Sequence, residues 1–230
     1  MNNHREQLFY CTRIEGDTIS LEDQEAVHCS LVLRKRQGDI IHVIDGKGGL
    51  YKAGIDRISK REVVCTILDS KQEENPNKLI LAVAPTKNRD RLEWMIEKVV
   101  EIGIKELIFV YTEHSERVKV NMERVLKKTV GAMKQSLRLH LPKVSESNLS
   151  ELVSKDFEHK YIAHCIDDSP KQSWQKVQGE CLVIIGPEGD FSLEEVNLAY
   201  SNGFKGLDLG KYRLRTETAA ISAAVLFNQL

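Results

Sequence analysis

The chain of 230 residues has no GxGxxG after a strand-like run, no GxxxxGKS/T, no HExxH, no CxxC and no GxSxG. The usual dinucleotide, nucleoside-triphosphate, zinc-peptidase and serine-hydrolase chemistries therefore have no sequence support. No apolar stretch is long enough to span a bilayer, and residues 1–6 lack the basic-then-apolar layout of a secretory signal. Cysteine is scarce. Cys11, Cys29, Cys65, Cys165 and Cys181 are odd in number, sit mostly among apolar or β-forming neighbours and fit no zinc template. Such residues are expected to be buried reduced thiols of a cytoplasmic protein. None of the seven histidines pairs with another at metal-ligand spacing, so no metal is expected, and His28 and His164 read as ordinary packed or surface histidines.

Excess charge of one sign is also missing from the whole chain, whose net charge is −1, but not from its parts. Residues 1–72 balance, 73–145 carry 14 basic against 10 acidic side chains, and 146–230 carry 8 against 13. A local basic surface binds phosphates by releasing counterions even when the molecule is neutral. A solvated helix surface accounts for any single cluster equally well. The asymmetry permits an RNA partner without requiring one.

Two textures divide the chain. Up to residue 72, short β-forming runs at 7–12, 40–44, 50–58 and 62–68 are separated by turn signals at 37–39 and 45–49. One helix is expected from about Glu22 to Leu33. These elements predict a small β-barrel with one helix. Asp45-Gly46 lacks a following helix and a Lys-Ser/Thr ending, so it reads as a hairpin turn, not a phosphate loop. The polar segment 71–78, broken by Pro76, is the best linker candidate. From 73 to 230, apolar runs at 79–84, 107–111, 161–166, 181–185 and 206–209 alternate with helical patterns at 90–102, about 121–138, 192–203 and 218–229. This alternation predicts an α/β domain with a mostly parallel sheet. Asn121 is placed to cap the second of those helices, with Val125, Leu126, Thr129 and Met133 inward. Ser192-Leu193-Glu194-Glu195 is a capping box.

The most informative segments lie in the last fifty residues. An apolar run ending at Ile185 enters Gly186-Pro187-Glu188-Gly189-Asp190-Phe191-Ser192, and a second turn follows at Leu209-Gly210-Lys211-Tyr212-Arg213-Leu214-Arg215-Thr216-Glu217-Thr218-Ala219. Proline fixes φ and glycine allows conformations other residues resist, so the first segment is a specified turn at a strand's carboxyl end. In parallel α/β sheets that edge binds ligands. A structural turn explains the Gly and Pro of the first segment. Helix capping by Thr216 or Thr218, with Glu217 in the first turn, explains much of the second. Capping leaves Arg215 unexplained, because a cation near a helix N-terminus opposes the dipole.

These two motifs, with Ile184-Ile185-Gly186-Pro187-Glu188-Gly189, Phe191-Ser192, Glu195, Leu209-Gly210 and Arg213-Leu214-Arg215-Thr216-Glu217-Thr218-Ala219, resemble the ribosomal RNA small subunit methyltransferase E family. The likeness extends through His28, Val32-Leu33-Arg34, Gly38-Asp39 and Asp45-Gly46 in the first part. In the middle it runs through Lys87, Arg91, Glu93, Lys98, Glu101, Gly103, Ser115-Glu116-Arg117, Gln135-Ser136 and Arg138. The resemblance implies a PUA-like RNA-binding barrel over 1–72 and a SPOUT-type α/β methyltransferase domain over 73–230 with a deep trefoil knot. It implies S-adenosylmethionine (SAM) as cofactor, N3 of one uridine in 16S ribosomal RNA (rRNA) as target, and a homodimer.

Carried onto this sequence, the resemblance makes Ile185, Gly186, Pro187, Glu188, Gly189, Leu209, Gly210, Tyr212, Leu214, Thr216, Thr218 and Ala219 cofactor-binding. Arg215 is the expected stabiliser of charge on the uracil carbonyls, and Glu217 a weaker candidate base. Arg34, Lys87, Arg89, Arg91, Lys134 and Arg138 are expected to bind RNA phosphates. Asp190 departs from the family pattern by replacing a usual second glycine, Leu137 by replacing a small residue, and Lys211-Tyr212 by replacing a Pro- or Ser-containing pair. A SPOUT enzyme acting on ribose 2′-OH or on transfer RNA, or a non-catalytic RNA-binding protein, are the alternatives.

Overall fold

A computed structural model describes residues 7–116, 119–166 and 170–229. Arg117 of the middle motif lies outside the described residues. The chain forms two compact units, one built from the chain up to Asn75 together with Val130–Leu141, the other from Pro76–Thr129 and the chain from Pro142 onward.

In the first unit, β1 (Leu8–Tyr10), β2 (Ile14–Glu15), β3 (Thr18–Glu22), β4 (Ile40–Ile44), β5 (Gly49–Ile58) and β6 (Glu62–Gln72) make a sheet in the order β1-β4-β5-β6-β3-β2. Only β1–β4 is parallel. Period-two patterning decides which face is inside: Ile19 and Leu21 of β3, Ile41 and Val43 of β4, Ala53 and Ile55 of β5, and Val63 and Cys65 of β6 share one core with Phe9. The expected barrel is not closed. Among the described residues β1 pairs only with β4, and the two-residue β2 pairs only with β3, so the ladder ends at both strands. The Asp45-Gly46 turn is the hairpin between β4 and β5, with Asp45 Oδ1 accepting from Lys47 N at 2.7 Å and Gly49 N at 2.9 Å. The expected helix at 22–33 is shorter and irregular. It is α1 (Asp23–Val27) followed by a π-helical stretch, His28–Val32, and Arg34 just beyond has φ +53°.

The second unit is a seven-stranded sheet built from β7 (Leu79–Val83), β8 (Glu106–Tyr111), β9 (Lys143–Asn148), β10 (His159–Ala163), β11 (Lys171–Ser173), β12 (Cys181–Ile185) and β13 (Lys205–Asp208). Its order is β11-β13-β10-β12-β7-β8-β9, and every neighbouring pair is parallel. Central strands β7 and β12 are buried at every position, which is why both read as unbroken apolar runs. On one face Ile80, Ala82, Leu182 and Ile184 pack with Leu149, Leu152 and Val153 of α4 (Leu149–Val153) and with Val196 and Ala199 of α5 (Leu193–Ser201). On the other, α6 (Thr216–Gln229) contacts β7, β12 and α2 (Arg89–Ile102).

Helix ends follow their sequence signals. Asn88 caps α2 by accepting from Arg91 N at 3.1 Å, and Asn121 caps α3 (Met122–Gln135) by accepting from Arg124 N at 3.0 Å. The capping box of α5 is complete, with Ser192 Oγ accepting from Glu195 N at 3.3 Å and Glu195 Oε2 accepting from Ser192 N at 2.9 Å. Leu126, expected inward, is exposed. The final helix begins two residues earlier than the expected 218, at Thr216. Among the described residues no helix is long and apolar enough to cross a membrane.

Ile184 is fully buried between the elements just named. Ile184→Ala is expected to cost about 2–5 kcal/mol of stability. Both tryptophans, Trp94 and Trp174, belong to the second unit. A urea titration followed by tryptophan fluorescence therefore reads the loss as a lower midpoint.

A candidate ligand pocket at the carboxyl edge of the sheet

Because β10, β12 and β13 are parallel neighbours, their carboxyl ends lie at one edge. The segments leaving them, 164–166, 186–191 and 209–215, surround a pocket of about 710 Å³. That volume suits a ligand of nucleoside size.

Specific bonds fix the loops. Thr216 is the first residue of α6, and its Oγ1 donates to the Gly186 carbonyl at 2.9 Å within a buried environment. As the first helical residue it is not the N-cap, a position that falls to Arg215. The first turn of α6 instead closes through Ala219 N–H donating to the Arg215 carbonyl at 2.8 Å. Arg213 Nη2 donates to the Glu188 carbonyl at 3.0 Å. Gly186 has no room for a side chain, since a Cβ would sit 2.7 Å from the Phe191 ring. Gly210 has φ +125°, a conformation L side chains rarely adopt.

Asp190, where the resemblance leads one to expect glycine, adopts φ +64°. Its carboxylate binds across to the third loop, with Oδ2 accepting from Cys165 N at 2.8 Å and Oδ1 accepting from Phe191 N at 2.9 Å. His114 Nδ1 lies 3.1 Å from the Asp190 carbonyl oxygen. In the wall of the pocket, His164 is buried and its Nε2 is 2.9 Å from Tyr200 Oη. Burial first, then nearby Lys171, lowers the His164 pKa against an opposing pull from Asp190.

Ten of the twelve residues expected to bind a cofactor line this pocket: Ile185, Gly186, Pro187, Glu188, Leu209, Gly210, Tyr212, Leu214, Thr216 and Ala219. Gly189 and Thr218 do not. Gly189 faces His114, where a Cβ would lie 3.2 Å from the histidine Cβ, and Thr218 is exposed. Arg215 lines the pocket and is exposed. Glu217 is not among the lining residues. Its side chain is only 7% exposed, and Oε1 lies 3.7 Å from Arg91 Nε. The lining also includes Ala163, His164, Cys165, Lys171, Asp190, Leu207, Asp208, Lys211 and Arg213, none of which was expected as a ligand-binding residue. The signal for the first three was present: a strand ending at the carboxyl edge of a parallel sheet delivers its next residues to the same place.

The expected phosphate-binding residues are spread over both units. In the second, Lys87 pairs with Glu116 at 2.9 Å, which raises its pKa, Arg89 lies 3.7 Å from Glu93, and Arg91 faces Glu217. In the first, Arg34 is exposed, whereas Lys134 is tied to Glu25 at 2.5 Å, so a phosphate contact there competes with an existing ion pair. Arg138 is half-buried, and that burial lowers its pKa. Four of the five cysteines are buried, and burial pushes the Cys65 and Cys181 thiols up to about 12. Cys165 alone is exposed, contrary to its expected burial, because β10 stops at Ala163 and releases it into a loop. Among the described residues no group of three or more His, Cys, Asp or Glu is placed to hold a metal ion.

Comparison with known proteins defines the class first. An RNA methyltransferase domain model matches residues 73–228, and an RNA methyltransferase PUA domain model matches 21–68. The chain is 32% identical to a ribosomal RNA small subunit methyltransferase E from Mesomycoplasma hyopneumoniae, over 71% of this chain and 74% of that one. Its fold is similar to a probable rRNA-methyltransferase from Porphyromonas gingivalis (TM-score 0.87, 35% identity, 95% of each chain covered). It is also similar to a ribosomal RNA small subunit methyltransferase E from Neisseria gonorrhoeae bound to S-adenosyl methionine (TM-score 0.82, 27% identity, 95% of this chain and 94% of that one). The chain thus belongs to the ribosomal RNA small subunit methyltransferase E family.

Thr216→Val keeps the shape of residue 216 but removes the buried bond between the two loops. It is expected to cost roughly 1–3 kcal/mol by leaving the Gly186 carbonyl without its donor. Thermal denaturation measures the loss, and isothermal calorimetry with S-adenosylhomocysteine is expected to show weakened binding at temperatures where the variant remains folded.

Proposed function

We propose that this protein is a SAM-dependent methyltransferase that modifies N3 of one uridine in 16S rRNA. The observation that carries the reading is the pocket itself, in which the two glycine-bearing turns are bound together by Thr216 and Gly186. The residues present fit SAM. Gly186 and Gly210 allow the two tight turns whose backbone groups line the pocket, Glu188 offers a carboxylate to an ammonium, and Lys171, Lys211 and Arg213 offer cations to a carboxylate. When bound, SAM supplies an electrophilic methyl group.

The chain's own work is on the uracil. N3–H is a weak acid, so its proton must pass to solvent water and the resulting charge on the carbonyl oxygens must be stabilised. Arg215 is the residue we assign to that stabilisation, being exposed, in the lining and fixed at the start of α6. We assign no proton transfer to Glu217, which faces Arg91 and lies outside the lining; its part is to hold Arg91 against the first turn of α6. Glu188 is best kept away from the sulfonium, because a carboxylate there favours the reactant over the transition state.

The finer features follow from the same reading. Strand β13 inserts between β10 and β11, after which α6 returns to pack on β7, β12 and α2, and this path supports a trefoil knot of the SPOUT type. A homodimer, a cytoplasmic location and the small ribosomal subunit as the setting complete the proposal, with the PUA unit binding RNA. Arg34, Lys87, Arg89, Arg91 and Arg138 are the phosphate contacts we assign. Such contacts fix position without reading bases. Arg89→Gln is expected to lower the salt dependence of RNA binding by about one unit of log–log slope, measured by filter binding across a salt series.

Nucleosides from a strain lacking this protein, analysed by mass spectrometry, test the main reading. Loss of 3-methyluridine from 16S rRNA supports it. Loss of a ribose-methylated or transfer-RNA nucleoside instead would point to a different target, and an unchanged profile would count against methyl transfer altogether. Arg215→Ala is expected to leave S-adenosylhomocysteine affinity within about threefold while lowering methyl transfer by roughly a hundredfold or more. Abolished cofactor binding would remove Arg215 from the catalytic role.

A further inference from the structure

We propose that Tyr212 is the platform on which the target uracil stacks while its N3 edge is methylated, an inference that rests on the rRNA methyltransferase reading above. N3 lies on the pairing edge of uracil, so the base has to leave its pair and its stack before methyl transfer. Proteins that hold an unstacked base supply an aromatic face in place of the lost neighbours. Among the described residues that line the pocket, Tyr212 is the sole Phe, Tyr or Trp. It is also the most exposed of the large hydrophobic side chains described, at 77%. A ring so exposed gains little from burial, so the fold itself does not call for a tyrosine there. It stands at the mouth of the pocket, the side from which an RNA enters, whereas Ile185 and Leu207 of the same lining are buried. The backbone on either side of the ring is held. Gly210 N–H donates to Asp208 Oδ1 at 2.8 Å, and Arg213 Nη2 donates to the Glu188 carbonyl at 3.0 Å. A ring on a held backbone has little freedom left to lose when a base lands on it. Lys211 Nζ lies over the ring at 5.7 Å from its centroid, and at 77% exposure a face remains to be covered. Arg215 follows three residues later in the same lining. One segment thus carries both the stacking surface and the cation assigned to the uracil carbonyls.

Tyr212→Ala, Tyr212→Leu and Tyr212→Phe test the stack, and because the side chain is exposed all three are expected to fold. Methyl transfer from tritiated SAM is measured on small ribosomal subunits purified from a strain lacking this protein. Phosphate contacts dominate RNA affinity, so the lost stack is expected in kcat and not in KM. The Ala and Leu variants are expected to show kcat lowered roughly five- to fiftyfold with the KM for RNA within about threefold, and Phe is expected to restore the rate. Calorimetry is expected to find S-adenosylhomocysteine bound by all three within about threefold of wild type. A wild-type kcat in the Ala variant overturns the proposal, and a Leu variant as fast as Phe reduces the ring to an apolar contact and overturns it too. Weakened S-adenosylhomocysteine binding gives the ring to the cofactor, and a changed mass on size exclusion gives it to a subunit interface; either result is fatal to the stacking role. Wild-type protein that transfers no methyl to the subunits, or binds no S-adenosylhomocysteine, would remove the underlying reading and this proposal with it.

Discussion

The buried bond from Thr216 to the Gly186 carbonyl holds the shape of the pocket. One partner is the first residue after a central parallel strand, and the other is the first residue of the last helix. A hydroxyl–carbonyl bond shielded from water is expensive to break without replacement. It therefore ties the position of α6 to the end of β12. The burial of α6 against β7, β12 and α2 in turn resists any rotation that would release it. Glycine at 186 and Phe191 beside it complete the constraint, since no side chain fits between the turn and the ring. Arg213 adds a second tie at the exposed end of the same turn.

That arrangement also sorts the charges. Carboxylates and cations both line the pocket, but several are already committed: Asp190 to two backbone N–H groups, Asp208 to Gly210 N at 2.8 Å, and Arg213 to the Glu188 carbonyl. Groups committed to backbone build the walls. Arg215 is placed at a helix N-terminus against the dipole. Glu217 lies two residues further on and is buried against Arg91, which places a carboxylate near the N-terminal peptide dipoles, where it is favoured. The acidic balance of the last third, with no cause evident in its sequence, includes Glu188, Asp190, Asp208 and Glu217, and three of these four line the pocket.

Elements buried on both faces were legible in the sequence, and elements at edges were not. Strands β7, β8 and β12 are continuous apolar runs because they meet packing on two sides. Strands β9 and β11, with sequences Lys-Val-Ser-Glu-Ser-Asn and Lys-Gln-Ser, stand at the two edges of the sheet and carry little of an apolar signature, so nothing marked them. In the first unit, β3 did carry the period-two signal in Ile19 and Leu21, but Glu22 looks equally like a helix start, and the helix expected there shrank accordingly. The assignment of Val130–Leu141 to the first unit could not be read at all, since it depends on contacts made far along the chain, such as Lys134 with Glu25. The two turns of the pocket were legible because glycine and proline declare backbone geometry locally. The end of β10 marks the place of His164 in the same way, but its hydrogen bond to Tyr200, thirty-six residues away, has no local signal.

Asp190 shows how a local penalty is absorbed by the site around it. A non-glycine residue at φ +64° costs about 1–2 kcal/mol relative to glycine. Aspartate is among the few residues that visit this region readily, because its short side chain can bond nearby backbone, and here it does so at Phe191 N. It also reaches Cys165 N in another loop, a charge-assisted bond of the kind worth about 1.5–3 kcal/mol. A glycine there makes the turn easily but cannot make that bond. Aspartate at 190 thus exchanges backbone ease for a tie between the end of β10 and the end of β12. The loop it restrains is the one that carries His164 and Cys165 into the pocket.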